Sequence, residues 1–327
     1  MTMFHDRVYQ MGGVPVGGPI TQGKVFFVKP VSGSDTASGV NPQKALKTLA
    51  RALELVTANQ NDIVYLMSEG NASAACTNYQ SATLDWNVDG VSLIGINSGA
   101  IVSPRSRIAW AAGTAITSAA PHLMVLSANN CLIEGVSIFA GIADADAIGA
   151  LSITGNRNVI RRCHIAGIGN DTQDASGAHS IKMAGGTENL LEDCTLGVDT
   201  IARGTAANSV VLFAAVTGGT DTNARNVFRG CRFVQYSEAT GSPAVTRESS
   251  GSDRYNLFDG CVFLNTGTSV AAQAFAVTAG GSPSGFILLN NCSFYRFTDV
   301  ETTPTNAVLA LGLPLATANN SLAAVIS

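Results

Sequence analysis

The chain has 327 residues, of which 46% are apolar and only 13% charged, so it can bury a large core beneath a surface rich in Ser, Thr and Asn. Its formal net charge of −4 and the lack of a basic run exclude an electrostatic basis for nucleic-acid binding. No apolar run approaches the ~20 residues that span a bilayer, and no secretory signal is visible. We expect no nucleic-acid partner and no membrane partner. We also expect the protein to be synthesised in a reducing cytosol.

Residues 1–24 are predicted to form an extended N-terminal arm. The stretch VYQMGGVPVGGPITQG is rich in Gly and Pro and has no periodicity, which is typical of a segment without its own fold. Two interpretations stay open: a disordered tail, or an arm that docks on a partner protein. Its Val, Ile, Met and Tyr residues favour docking, because disordered linkers are poor in them.

Residues 25–60 are predicted to hold a first strand and one capping α-helix. The helix is expected over 41–56, NPQKALKTLARALELV, with Asn41 as N-cap and Pro42 in the first helical position. One face of it collects the apolar residues Leu46, Leu49, Leu53 and Val56. A helix of this kind covers the open end of a β-solenoid, whose bare strand edges invite aggregation.

Residues 61–306 contain a repeated phrase. NVFRGCRF and NLFDGCVF are preceded by CLIEGVSI, NVIRRCHI and NLLEDCTL and followed by ILLNNCSF, with key positions at 136, 163, 194, 231, 261 and 292. A second strand-like piece and a turn-forming stretch come before each phrase. Each unit therefore reads as strand, turn, strand, bend, strand and loop, without helical spacing.

The phrase itself predicts a corner and, through it, the fold. The Cys and the residue three positions before it are both apolar, but in a continuous strand they would point to opposite faces. Both can point inward only if the strand bends between them. Units of this kind stack with each coil bonded to the next about 4.8 Å away. We therefore predict an all-β, single-stranded, right-handed parallel β-helix of about eight coils with one N-terminal capping helix.

Stacking in register brings equivalent residues of successive coils into columns with structural roles. The core column holds Cys163, Cys194, Cys231, Cys261 and Cys292. A hydrogen-bonded asparagine ladder is predicted from Asn158, Asn189, Asn226 and Asn256. An outer column alternates in charge through Glu134, Arg161, Glu192, Arg229 and Asp259.

The last segment, residues 307–327, is apolar and poor in charge, unlike a solvated tail. Two interpretations of it stay open. It either covers the last coil as a cap or forms a subunit contact.

Chemistry-bearing patterns are sparse. No Cys/His cluster has zinc spacing, no glycine-rich phosphate loop is found, and the four histidines are scattered, so no metal and no cofactor is expected. Paired acids on the outer face of a β-helix can cleave polysaccharides. The fallback candidates, all in loops, are Asp144, Asp171, Asp174 and Asp199. Loop acids more often cap turns, and a 6% aromatic content argues against a sugar-binding groove.

Residues 28–56, 61–70 and 88–100 carry a resemblance to a known family. VKPVSGSDTASGVNPQKALKTLARALELV, NDIVYLMSEG and VDGVSLIGINSGA resemble the opening of pectate-lyase-like β-helix proteins. In particular, they are similar to a group of tailed-bacteriophage structural proteins with the same arm, turn, helix and first coils. The resemblance implies the β-helix fold. The family's paired acids and its calcium-carboxylate and arginine sets have no counterpart here, which implies that the enzymatic site is missing.

The leading expectation is therefore a non-enzymatic bacteriophage virion protein, a trimeric capsid decoration or cement (head spike) protein. Its partners would be two further copies of itself and the major capsid protein or other virion proteins, reached through the N-terminal arm. It would be assembled in the host cytoplasm and displayed on the phage head rather than the tail. The alternative is a tailspike-like adhesin or depolymerase that binds a host surface glycan.

Overall fold

The computed structural model describes residues 8–9, 15–16, 23–96, 101–215, 223–248, 251–268, 273–277, 285–301 and 308–310. Most of the predicted arm and of the 307–327 segment lies outside these ranges, so both assignments stay predictions. Within the arm, strands β1 (Val8–Tyr9) and β2 (Pro15–Val16) pair antiparallel.

The remaining described strands form three parallel sheets that wind around one core. Sheet 1 contains β3 (Val25–Val28), β4 (Ile63–Met67), β7 (Ser92–Ile96), β10 (Leu132–Glu134), β13 (Val159–Arg161), β16 (Leu190–Glu192), β19 (Val227–Arg229), β22 (Arg254–Asp259), β25 (Gly285–Asn290) and β28 (Val308–Ala310). Sheet 2 contains β5 (Thr77–Gln80), β8 (Arg107–Trp110), β11 (Ser137–Phe139), β14 (His164–Ala166), β17 (Thr195–Arg203), β20 (Arg232–Ser237), β23 (Val262–Asn265) and β26 (Ser293–Tyr295). Sheet 3 contains β6 (Leu84–Trp86), β9 (His122–Leu126), β12 (Gly149–Ile153), β15 (His179–Met183), β18 (Val211–Phe213), β21 (Pro243–Arg247), β24 (Gln273–Val277) and β27 (Asp299–Glu301).

Neighbouring strands in each sheet come from successive coils, and this arrangement confirms the predicted right-handed parallel β-helix. The solenoid makes about seven turns, close to the eight coils expected from the repeat. Parallel hydrogen-bonded ladders join successive coils, which lie about 4.8 Å apart.

A single residue with positive φ makes the corner between sheets 1 and 2 in each repeat. These corner residues are Gly135, Arg162, Asp193, Gly230, Gly260 and Asn291, with φ between 50° and 67°. Because the chain turns there, side chains on either side of the corner, such as Ile160 and Cys163, both enter the core. The bend therefore lies where the spacing of the apolar residues in the sequence predicts it.

Phenylalanine side chains fill the core of the later coils. The rings of Phe228 and Phe258 stack at 4.7 Å with an interplanar angle of 4°, and those of Phe233 and Phe263 stack at 4.4 Å. All four are fully buried. The rings stack face to face because successive coils lie close together. The Phe275 ring packs edge-on against both Phe258 and Phe263 and so connects the two stacks.

The capping helix is shorter than the sequence pattern predicts. Asn41 caps a 3-10 turn at Pro42–Lys44, and the α-helix α1 runs only over Leu49–Leu55 with Thr48 as its N-cap. Between them the Asp35 carboxylate accepts the amide hydrogens of residues 47 and 48. These bonds replace helical ones, so residues 45–48 stay extended. A second short helix, α2, spans Ser73–Cys76, and a 3-10 turn spans Asp171–Gln173.

The four ladder asparagines are buried and bonded from coil to coil. Asn226 Oδ1 accepts from both the backbone amide and the Nδ2 of Asn189, each at 3.0 Å, while its own Nδ2 donates to Asn256 Oδ1 at 2.9 Å. Asn158 donates its backbone amide to Asn189 Oδ1 at 2.9 Å, and its own Oδ1 accepts the backbone amide of Cys131 at 2.8 Å. Every ladder member therefore satisfies backbone donors at the turn into sheet 1.

The outer charge column lies in strict register along sheet 1. Its paired positions are Glu134 with Arg161, Arg161 with Glu192, Glu192 with Arg229, and Arg229 with Asp259. The Arg161 guanidinium lies 2.6 Å from the Glu134 carboxylate. Opposite charges on adjacent strands favour this order of coils over a shifted one.

Candidate functional site

Two of the four candidate loop acids brace the backbone. Asp144 accepts the amide hydrogen of Ile116 at 3.0 Å, in the loop of the preceding coil. Asp174 accepts the amides of Gly204 at 2.6 Å and Thr205 at 3.1 Å, in the following coil. Both carboxylates therefore hold long loops of neighbouring coils together, which is a structural role.

The other two candidates, Asp171 and Asp199, are exposed. Asp171 begins the 3-10 turn, and Asp199 lies on β17. Across the described ranges, no hydrogen bond joins any two of the four candidate carboxylates.

The cysteine column is buried in the core except at Cys292, which is partly exposed, and all its thiols are free. Each sulfur donates to a backbone carbonyl of the preceding coil, with S···O distances of 3.2–3.6 Å. Burial raises the pKa of the Cys163 and Cys231 thiols, so both stay protonated at neutral pH. These contacts make the column a packing element.

Two histidines that look scattered in the sequence meet in the structure. His122 and His179 lie two coils apart on sheet 3, yet their Nε2 atoms are 2.8 Å apart because Gly149 occupies the coil between them. His179 Nδ1 donates to the carbonyl of Gly177 at 2.7 Å, which leaves its Nε2 to accept from His122. Burial lowers the pKa of His122 to about 3 and that of His179 to about 4.

An open groove of about 400 Å³ lies where α1 meets the first strands of sheets 2 and 3. We call it the α1 groove. Its lining residues are Thr48, Ala50, Leu53, Glu54, Tyr79, Gln80, Ser81, Ala82, Thr83, Leu84, Asp85 and Asn87. Most of these side chains are polar, and two are carboxylates.

Strand alternation turns Tyr79 and Asp85 into the α1 groove. Tyr79 is 47% exposed between the buried neighbours Asn78 and Gln80. Asp85 is exposed between two buried apolar residues, and it accepts a hydrogen bond of 2.6 Å from the Ser127 hydroxyl of the next coil. The strands thus fix an aromatic ring and a carboxylate at defined points of the wall.

The opposite wall of the α1 groove is the helix itself. Glu54 lies on its exposed face and pairs with Arg51 one turn earlier. Asn78 fastens this wall to β5, since its Nδ2 donates to the carbonyl of Lys47 at 2.9 Å and its Oδ1 accepts the amide of Leu49 at 3.3 Å. The helix is therefore held in place beside the strands.

The α1 groove suits a polyhydroxylated ligand. Carboxylates, amides and hydroxyls offer hydrogen bonds, and an exposed aromatic ring offers an apolar face. Glu54 and Asp85 come from different elements, which is how a pair of acids can flank one bound ligand. None of the candidate acids predicted from the sequence lines this groove, since all four lie in the segments after the repeated phrases. The alternation in TNYQSATLDW was the signal that places Tyr79 and Asp85 outward.

Within the described ranges, no group of three or more His, Cys, Asp or Glu side chains could hold a metal ion. No helix there has the length and apolar character needed to cross a membrane.

Solved structures of several enzymes share the fold. A pectin methylesterase solved with a hexasaccharide superposes with a TM-score of 0.55 at 14% identity, over 89% of this chain and 91% of that one. The pectin methylesterase PemA from Erwinia chrysanthemi gives 0.53 at 14%, over 91% and 92%. A rhamnogalacturonan lyase gives 0.53 at 16%, over 84% and 69%. No protein-family model matches the sequence, and no curated protein matches it.

These neighbours correct the leading functional expectation. They support the pectate-lyase-like β-helix fold, whereas the resemblance to bacteriophage proteins finds no counterpart among them. All three are named as enzymes, and on this finding the expectation of a non-enzymatic capsid decoration protein was wrong. The expectation of no enzymatic site rested on missing motifs, whereas groups brought together from separate elements leave no contiguous motif in the sequence.

Proposed function

We propose that this protein is a polysaccharide-acting enzyme whose glycan-binding site is the α1 groove. The observation that carries the proposal is the joint presence of an exposed Tyr79 ring and the Glu54 and Asp85 carboxylates in one open groove. The fold is shared with enzymes named for pectin and rhamnogalacturonan, which makes these polymers the first substrates to test.

Each group in the α1 groove has a distinct proposed role. The Tyr79 ring packs against the apolar face of a sugar ring, while Ser81, Thr83 and Asn87 bond to its hydroxyls. Glu54 and Asp85 act as the acid and base, one protonating the leaving oxygen and the other activating the attacking group. Asp85 is the more rigid of the two, since Ser127 holds its carboxylate.

The biological setting is also part of the proposal. The resemblance of residues 28–56, 61–70 and 88–100 to tailed-phage structural proteins supports a tailspike-like protein displayed on a virion. Attachment to other virion proteins through residues 1–24 belongs to the same proposal. Cryo-electron microscopy of the particle tests the location.

A depolymerisation assay tests the proposed activity. Purified protein is incubated with pectin, polygalacturonate, rhamnogalacturonan and a panel of bacterial capsular polysaccharides, and new reducing ends, unsaturated products and released methanol are measured. We expect activity on at least one polymer. Asp85→Asn and Glu54→Gln should each lower the rate by a factor of about 10²–10⁴, as for loss of a general acid or base.

Asp193→Asn is the matched control, because Asp193 is exposed at a sheet corner outside the α1 groove. Its positive φ is one that Asn adopts well. It should keep the wild-type rate. Activity that survives Asp85→Asn and Glu54→Gln but disappears in Asp171→Asn would move the site to the loops. No activity and no binding on any polymer would refute the proposal.

A further inference from the structure

The outer face of sheet 1 carries a column of aliphatic residues that stays in register as far as Leu309. Six of them, called here the sheet 1 stripe, are Leu132, Val159, Leu190, Val227, Leu257 and Leu288. All six are half-buried although they point away from the core. At one coil per ~4.8 Å the stripe is about 24 Å long. A continuous apolar strip between polar borders is typical of an interaction surface.

Two polar columns border the stripe, and their charges alternate in step. On one side lie Glu134, Arg161, Glu192, Arg229, Asp259 and Asn290. On the other side, each just before the ladder position, lie Asn130, Arg157, Glu188, Arg225, Tyr255 and Phe286. A coil with a cation in one column has a cation in the other, as Arg161 and Arg157 illustrate.

We propose that a second copy of this chain docks on the sheet 1 stripe in antiparallel orientation. The two-fold axis crosses the stripe between the coils of Leu190 and Val227, because the bordering charges of these two coils are opposite. Rotation about this axis reverses the order of the coils and keeps each column opposite itself. All six aliphatic positions are then covered by aliphatic positions of the second copy.

Four border pairs are complementary in this arrangement, while Glu134 faces the neutral Asn290. Along the first border, Glu192 faces Arg229 of the second copy and Arg161 faces Asp259. Along the other, Glu188 faces Arg225 and Arg157 faces Tyr255, whose ring is 41% exposed. The pairs are ionic except the last, which is a cation–π contact.

A parallel pairing through the same face is disfavoured by the same charges. A two-fold axis along the β-helix places the two borders opposite each other at equal height. Arg161 then meets Arg157, Glu192 meets Glu188, and Arg229 meets Arg225. Three like-charge contacts oppose such a dimer, so the charge pattern selects the antiparallel one.

The proposed contact is small. The outer columns are four residues apart, about 13 Å, and with the ~24 Å length this gives a face below the ~800 Å² per partner of a standard interface. The dimer should therefore be weak and exchange rapidly. None of the residues lining the α1 groove belongs to sheet 1, so the contact leaves that groove uncovered.

Sedimentation velocity over a range from low to several hundred micromolar tests the association. Wild type should pass from monomer to dimer with rising concentration. The double variant Val159→Thr/Val227→Thr should associate at least about tenfold more weakly. Val125→Thr is the matched control, because Val125 is a half-buried outward valine on sheet 3. It should dimerise as wild type does.

Thiol cross-linking tests the orientation. A Val159→Cys chain mixed with a Leu257→Cys chain should be joined by a short bismaleimide, since the two positions face each other across the axis. Each variant alone should not cross-link above wild type, because like positions are offset by three coils, about 14 Å. Cross-linking of the single variants, a monomer at all concentrations, or a trimer would overturn the proposal. If the Val159→Thr/Val227→Thr variant lost polysaccharide binding but still associated, the stripe would be a glycan-binding surface instead of a dimer contact.

Discussion

The Arg229 guanidinium lies beside the carboxylate of Asp259 in the next coil, with 3.6 Å between Nε and Oδ2. The same guanidinium is 3.7 Å from Glu192 of the preceding coil, so one cation bridges two anions. The three residues occupy one register position on sheet 1. Their order in the sequence therefore encodes which coils are neighbours.

A double-mutant cycle on Arg229 and Asp259 measures this coupling. Asp259→Arg places two cations side by side and should lower the free energy of unfolding by about 0.2–1 kcal/mol, small because both side chains are partly exposed. Arg229→Asp should cost somewhat more, because it also leaves Glu192 facing an anion. The double swap should recover part of the loss in urea titrations. Strict additivity of the two single variants would contradict the coupling.

The stability of the fold should fall as the pH is lowered below about 6.5. Burial lowers the pKa of His122 and His179 to about 3 and 4, and nearby Lys182 acts in the same direction. The unfolded chain binds protons near pH 6.5 while the folded chain resists them, so stability is full above that pH and is lost progressively between 6.5 and about 3, where His122 also becomes protonated in the folded chain. Burial lowers the pKa of His164 as well, so it adds to the loss.

Urea titrations at several pH values measure this dependence. His122→Gln/His179→Gln should flatten it, leaving the smaller part that His164 supplies. An unchanged slope in the double variant would show that the histidine pair does not cause the acid sensitivity.

Gly149→Ala should destabilise the fold through the same histidine pair. A Cβ at position 149 would lie 2.5 Å from His122 Cδ2 and 2.8 Å from His179 Nε2. One or both rings must shift, and overpacking of this kind costs about 1–3 kcal/mol. Gly177→Ala is a useful contrast, because no atom lies within 4 Å of a Cβ there and only its positive φ opposes the change. Equal losses in the two variants would argue against a steric effect at Gly149.

Removing one ladder asparagine should be among the most damaging single changes. Asn226→Ala leaves the backbone amide of Asn189 without its acceptor and the carbonyl of Gly186 without its side-chain donor inside the core. Each buried polar group left unpaired costs about 1–3 kcal/mol. Asn71→Ala is the control, since Asn71 is exposed. Thermal unfolding should give Asn226→Ala a lower midpoint than Asn71→Ala. Equal midpoints would show that the ladder does not stabilise the fold.

The sequence was sufficient for the fold because each coil repeats the same local constraints. The parity change before the cysteine fixed the corner, and the asparagine and charge columns fixed the register. Those signals are periodic, so six copies reinforce one another. The sequence pattern predicts too long a capping helix, because its apolar spacing includes Leu46. The contact of Asp35 with residues 47 and 48, which keeps the helix short, is not visible in a local pattern.

The candidate site was harder to foresee, because it is assembled from elements that do not repeat. Glu54 and Asp85 are 31 residues apart and become neighbours of one groove only after α1 docks on the first coil. The histidine pair depends in a similar way on the glycine of an intervening coil. Sequence patterns within one coil do not show that Glu54 and Asp85 share a groove or that the two histidines are in contact.

The thiols should react in an order set by burial. Cys292 is the partly exposed member of the column, whereas Cys163, Cys194, Cys231 and Cys261 are buried. A maleimide should therefore label Cys292 first, slowly, because its contact with Cys261 and its burial raise its pKa. Mass spectrometry of digests measures the order. In urea all thiols should react at similar rates, which controls for reagent access. Early labelling of Cys231 in native protein would contradict the closed core, because a probe can reach it only if neighbouring coils separate.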